Sequence, residues 1–115
     1  MVRAALWQRV EHFAFEREER LAELDGEAGW DKKRWAEAMD EYYDRYDDVG
    51  IDAPARSPQL LQITEESKLW RIRQVIDDPD GNHDWGIEAE LDLEATDEAG
   101  EPVLVITHVG EMRGY

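Results

Sequence analysis

The sequence predicts an α+β domain, an N-terminal helical hairpin packed on an antiparallel meander of three or four strands. Three observations carry this. Apolar residues recur at helical spacing through the first fifty positions, and the period changes to two after residue 58. Between Leu69 and Leu93 two alternating runs flank an acidic turn containing Pro79, Asp80 and Gly81, the pattern of a hairpin. At 115 residues the chain is one domain with a modest core, divided into a helical part (1–50), a linker (51–58) and a sheet part (59–110).

In the helical part, Leu6, Val10, Phe13, Leu21 and Leu24 mark one face of a helix over residues 3–24, with Arg17 interrupting the stripe and Gly26 as its stop. Asp31 is a good N-cap for a second helix. Trp30 before it and Trp35 four residues after it have the spacing of a hydrophobic staple. Trp35, Met39, Tyr42, Tyr46 and Val49 then share a face, and Gly50 closes the helix. Its charges oppose the helix dipole at both ends, with Lys32, Lys33 and Arg34 in the first turn and Asp47 and Asp48 in the last. Packing of the aromatic face is expected to outweigh this; neutralisation by a neighbouring segment or a partner is the alternative.

The linker carries two prolines, and a short strand follows over Gln59 to Thr64. With Asp80 and Gly81 as a two-residue turn, paired residue numbers sum to 161. Trp70 then faces Leu91, Ile72 faces Ala89, Gln74 faces Ile87 and Ile76 faces Trp85. On the opposite face Arg71 meets Glu90 and Arg73 meets Glu88. One face is apolar and the other pairs opposite charges, and a slip of one residue loses both patterns. A last strand, Val103 to Val109, follows a turn over Asp97 to Gly100. Leu104 and Ile106 join the core beside Leu91 and Leu93. Val103, Val105 and Val109 form a second apolar row that needs a cover: the helices, the first strand, or another domain.

The net charge is −16. It concentrates in the second helix and beyond residue 77, whereas residues 53–76 carry four basic against two acidic side chains. A surface this acidic repels a phosphate backbone, so direct nucleic-acid binding by the chain is not expected; a basic protein surface, or solubility alone, is. The absence of cysteine excludes disulfides and thiolate metal sites. No apolar run is long enough to span a bilayer and the N-terminus has no signal-peptide core, so a soluble, cytoplasmic chain is expected.

No constellation carries chemistry on its own. The run from Asp77 to Asp84 fails as a calcium loop starting at Asp78, because His83 stands where glycine is required and Ala89 where glutamate is. It reads as a structural turn, with Asp84 capping it and His83 pairing with a nearby carboxylate. The His83-Asp84 pair lacks the further ligands of a catalytic metal site. Tyr42, Tyr43 and Tyr46 lie among Asp44, Asp47 and Asp48, yet Tyr42 and Tyr46 fall on the apolar face and read as core. No cofactor is expected.

The ordered set GEAGWD (Gly26–Asp31), Trp35-Ala36, Tyr42-Tyr43-Asp44, DAPARSPQLL (Asp52–Leu61), WRIRQVIDDPDGNHDWGI (Trp70–Ile87) and LDLEATDEAG (Leu91–Gly100) resembles a known region. It is the C-terminal domain of unknown function that closes a family of bacterial DEAD/DEAH-box, superfamily-two helicases. The resemblance spans Val2 to Val109. It implies context more than chemistry, since the ATPase motifs of that family lie upstream and neither a phosphate loop nor a DEAD or DEAH box occurs here. The chain resembles an excised or separately encoded module that is not itself an enzyme. Within that context the second valine row and the reversed dipole of the second helix suit a docking domain acting on a helicase core or another protein, with Val103, Val105, Val109, Lys32, Lys33 and Arg34 as candidate interface. Two other readings stand beside it: a small-ligand cup lined by Tyr42, Trp70, Trp85 and His108, and an acidic mimic of nucleic acid.

Overall fold

The computed structural model describes residues 2–111. Residues 2–25 form two helices, α1 (Val2–Ala14) and α2 (Glu18–Asp25), instead of the single helix expected. The chain turns at Glu16, which adopts the left-handed region at φ 54°. Burial of an ion pair accompanies the break. On a straight helix sixteen residues would hold Arg9 and Asp25 about 24 Å apart. Folded back, the Arg9 guanidinium donates from Nε and Nη2 to the two Asp25 carboxylate oxygens at 2.9 and 2.8 Å, both residues being buried. The turn also leaves Leu24, expected in the core, on the surface. Gly26 does not stop the helix by a left-handed cap; that conformation falls to Gly29, at φ 99°, after a 3-10 turn over Gly26–Ala28.

Helix α3 (Lys32–Tyr43) starts as the sequence predicts. The Asp31 carboxylate accepts the Arg34 backbone N–H at 2.9 Å, and the Trp30 and Trp35 rings lie 5.0 Å apart. It ends seven residues before Gly50. Tyr42 turns the chain back by donating its hydroxyl to the Asp48 carbonyl, so Tyr46 and Val49 reach the core from irregular chain. Asp47 and Asp48 therefore do not load the helix C-terminus; Asp40 and Glu41 in the last turn and Asp44 at the C-cap oppose the dipole there instead. Gly50 serves a close approach instead: its N–H donates to the Asp77 carbonyl at 2.9 Å, and a Cβ there would meet that oxygen at 3.0 Å. The linker is compact, with 3-10 turns at Ala53–Arg56 and Pro58–Leu60, buried Ala55, and Arg56 over the Trp7 ring at 5.2 Å.

Four strands, β1 (Leu61–Glu65), β2 (Leu69–Val75), β3 (Trp85–Asp92) and β4 (Leu104–Glu111), pair antiparallel in chain order. The β2–β3 register is the expected one, with Trp70 opposite Leu91, Ile72 opposite Ala89 and Gln74 opposite Ile87. The connection is wider than a two-residue turn. Beyond the Ile76 N–H bond to the Trp85 carbonyl (2.8 Å), residues 77–84 form a loop gathered around buried Asp78. Its carboxylate accepts N–H groups from Asp80, Asn82 and His83 at 3.1, 3.0 and 2.7 Å. The register survives because the loop is symmetric about the same two residues. Asp78, not Asp84, is the cap; Asp84 accepts the Tyr46 hydroxyl at 2.7 Å, while His83 pairs with Asp77 at 3.0 Å as expected.

A further helix, α4 (Leu93–Ala99), replaces the turn expected before β4. Asp92 caps it by accepting the Ala95 N–H at 3.0 Å, and Gly100 ends it at φ 73°. The helices cover one sheet face. Tyr42 sits at the centre of this layer, its ring edge-on to Phe13, Tyr43 and Trp85 at 5.7, 5.1 and 5.6 Å. No helix among the described residues is long and apolar enough to cross a membrane.

Candidate docking surface

The valine row expected along β4 is divided by a bulge. Leu91 pairs with Leu104 and Ala89 with Ile106, but Glu88 pairs with His108, so Thr107 is the extra residue. Thr107 and His108 both face solvent, and the alternation behind them is inverted. Val109 consequently points into the core at 6% exposure, which corrects its place in the candidate interface. Val103 lies just before the strand, half-buried, its N–H donated to the Thr96 hydroxyl and its carbonyl accepting from Asp92. Val105 alone of the three is exposed, at 39%.

Val105 does not stand in isolation. Together with Leu69 of β2 and Leu93 of α4 it lines an open groove of about 550 Å³ where α4 crosses the end of the sheet. Both leucines are half-buried, so an apolar floor reaches the surface. Four carboxylates, Glu90, Asp92, Glu94 and Asp97, share the lining with a single cation, Lys68. Asp92 is committed to the α4 cap and Glu90 lies 3.6 Å from Arg71, which leaves Glu94 and Asp97 on the helix to set the sign of the rim. An apolar strip under a negative rim accommodates an apolar side chain flanked by Lys or Arg. The leucines and α4 itself were missed in the sequence, although Asp92 followed eight residues later by Gly100 is a helix start and stop signal.

The basic turn of α3 is elsewhere and is already occupied. Lys32 pairs with Glu19 at 3.1 Å. Arg34 stacks on the Trp30 ring at 3.8 Å and donates to the Gly29 carbonyl, while the Trp30 indole N–H donates to the Ile106 carbonyl of β4 at 2.9 Å. This stack caps the Ile106 carbonyl on the β4 edge, and Lys33 remains exposed.

The four residues of the expected cup are not gathered around one cavity. Tyr42 and Trp85 pack ring against ring in the core. Trp70, half-buried, pairs with Leu91, six residues along β3 from Trp85. His108 lies on the solvent face beside Glu88; it shares a shallow, largely acidic depression with Trp85, Glu41 and Glu111. Burial raises the Tyr42 hydroxyl pKa and carries that of Tyr43 to about 12, with nearby carboxylates adding to both. Both hydroxyls stay protonated at neutral pH and act as donors, which suits structure better than acid–base work. Among the described residues no group of three or more His, Asp and Glu side chains is placed to hold a metal ion.

The fold and surface define a small α+β domain with one covered and one open sheet face and an apolar-floored, acidic-rimmed groove at its end. The chain belongs to the family described as a domain of unknown function (DUF3516), whose profile matches residues 1–109. No curated protein and no solved structure matches it.

Proposed function

We propose that this chain is a non-catalytic docking domain, and that its partner is the core of the DEAD/DEAH-box helicases whose C-terminal region its sequence resembles. The observation that carries the reading is the groove of Leu69, Leu93 and Val105 beneath Glu94 and Asp97. Its chemistry suits a basic protein segment that presents one apolar side chain. The net charge of −16 accelerates encounter with such a segment and disfavours a phosphate backbone.

The test is co-purification and calorimetry of this chain with a helicase body that lacks its own C-terminal domain. A complex that weakens with salt, and that is lost with Val105→Asp or with Glu94→Lys/Asp97→Lys, supports the reading. Absence of a complex, or a complex indifferent to these substitutions, refutes it.

A further inference from the structure

The other edge of the sheet has a backbone pattern that matches itself. The Glu66 N–H donates to the Leu69 carbonyl at 3.0 Å, and inward from that pair the register sets Thr64 opposite Arg71 and Gln62 opposite Arg73. In an antiparallel ladder, hydrogen-bonded and non-bonded pairs alternate. Gln62, Thr64 and Glu66 therefore turn their backbone groups toward β2, and Leu61, Ile63 and Glu65 turn theirs away from the sheet. The Leu61 N–H is taken by the Pro58 carbonyl. The Leu61 carbonyl and both groups of Ile63 and Glu65 face outward, and β1 is the terminal strand of the sheet.

A second β1 laid antiparallel with Ile63 opposite Ile63 satisfies this row except for the Glu65 carbonyl, whose opposite N–H, on Leu61, is already donated to Pro58. Each Ile63 N–H meets the other copy's Ile63 carbonyl, and each Glu65 N–H meets the other copy's Leu61 carbonyl. Gln62 then stands opposite Thr64, and no like charges are directly opposed. Ile63, 43% exposed at the margin of the apolar face, would lie beside its equivalent and lose that exposure. Beyond its shortness and the one charge of Glu65, the strand is little protected as an edge: residues 61–65 contain no proline and no lysine, and no bulge interrupts their pairing with β2. A chain of net charge −16 repels its copies, but β1 itself adds only Glu65 to that charge, and the Arg71 and Arg73 side chains beside it are paired with Glu66, Glu90 and Glu88.

We propose that two copies of this chain associate through β1, antiparallel about Ile63, to continue the four-stranded sheet across a two-fold axis. Sedimentation velocity on the full chain from micromolar to millimolar concentration should show a monomer–dimer equilibrium. Ile63→Lys places two ammonium groups together and should leave a monomer with an unchanged circular dichroism spectrum. Because the chain has no cysteine, a second measurement reports the register. Mixed Gln62→Cys and Thr64→Cys proteins should oxidise to a covalent heterodimer, since the two thiols would face each other at a non-hydrogen-bonded pair, whereas either protein alone should not. A chain that stays monomeric at millimolar concentration overturns the proposal. So does a dimer unaffected by Ile63→Lys, or cross-linking no greater in the mixture than in either protein alone.

Discussion

Along β4 a distant element caps the sheet edge at one carbonyl. The Trp30 indole donates to the Ile106 carbonyl, Arg34 lies over that indole, and the bulge at Thr107 sends Val109 into the core. Along β1 the sheet ends in water, with four of five residues exposed and Ile63 uncovered. The two edges carry comparable β-forming sequence, so exposure of an apolar residue cannot be read from its place in a strand. What differs is whether an element distant in sequence arrives to cover it. For β4 that element is the N-terminal staple of α3, seventy-six positions away from the carbonyl it caps.

The strongest way to break this contrast is Val109→Asp. A carboxylate buried without a partner should destabilise the domain by more than about 4 kcal/mol in chemical denaturation. The same substitution at Val105, four residues earlier, should change stability by less than about 0.5 kcal/mol. Equal costs at both positions would mean that the bulge does not form as described. Trp30→Ala removes the staple, the Arg34 stack and the β4 cap together, and should cost about 3–5 kcal/mol. Trp30→Phe keeps a ring but strands the Ile106 carbonyl, for about 1–3 kcal/mol. Hydrogen exchange should rise selectively along β4 in Trp30→Phe and leave β1 unchanged.

A comparable effect comes from Asp78→Ala, which leaves three loop N–H groups without their acceptor and should cost about 2–3 kcal/mol. If the loop symmetry rather than the carboxylate sets register, the β2–β3 cross-strand contacts will persist in the variant's NMR spectra. The smallest concerns His12, beside the α1–α2 turn. Burial, followed by the charges of Arg17 and Arg20, lowers its pKa below 6.5. The unfolded chain then binds a proton before the folded one, so this contribution is fully present above about pH 6.5 and is lost as pH falls through the lowered value. His12→Gln should flatten that part of the stability profile, and the His12 imidazole should titrate below the ordinary histidine range by NMR.

Much of the fold was legible where one local pattern had a single good solution. The Arg71–Glu90 and Arg73–Glu88 pairs and the apolar row from Trp70 to Ile76 agree on one register, and the structure has it. Asp31 between Trp30 and Trp35 similarly marked a helix start that packing did not override. The candidate surface was legible only in part. Val105 was identified as an uncovered residue, but its groove is made with Leu69 and Leu93, which each look like ordinary ends of a strand pattern. Tyr42, Trp70, Trp85 and His108 share aromatic character without sharing a place.

The sequence by itself determined the class of fold, the helix cap at Asp31 and the β2–β3 register, because capping, alternation and cross-strand charge act over a few residues or across one pair. Only the tertiary structure decided where the first helix breaks, which valine faces water and which sheet edge is covered. Those outcomes depend on groups that meet after the chain has folded back on itself: Arg9 with Asp25, Glu88 with His108, and Trp30 with Ile106. A buried ion pair, an extra residue in a ladder and a capped carbonyl are each stabilised by partners whose sequence separation no local pattern records.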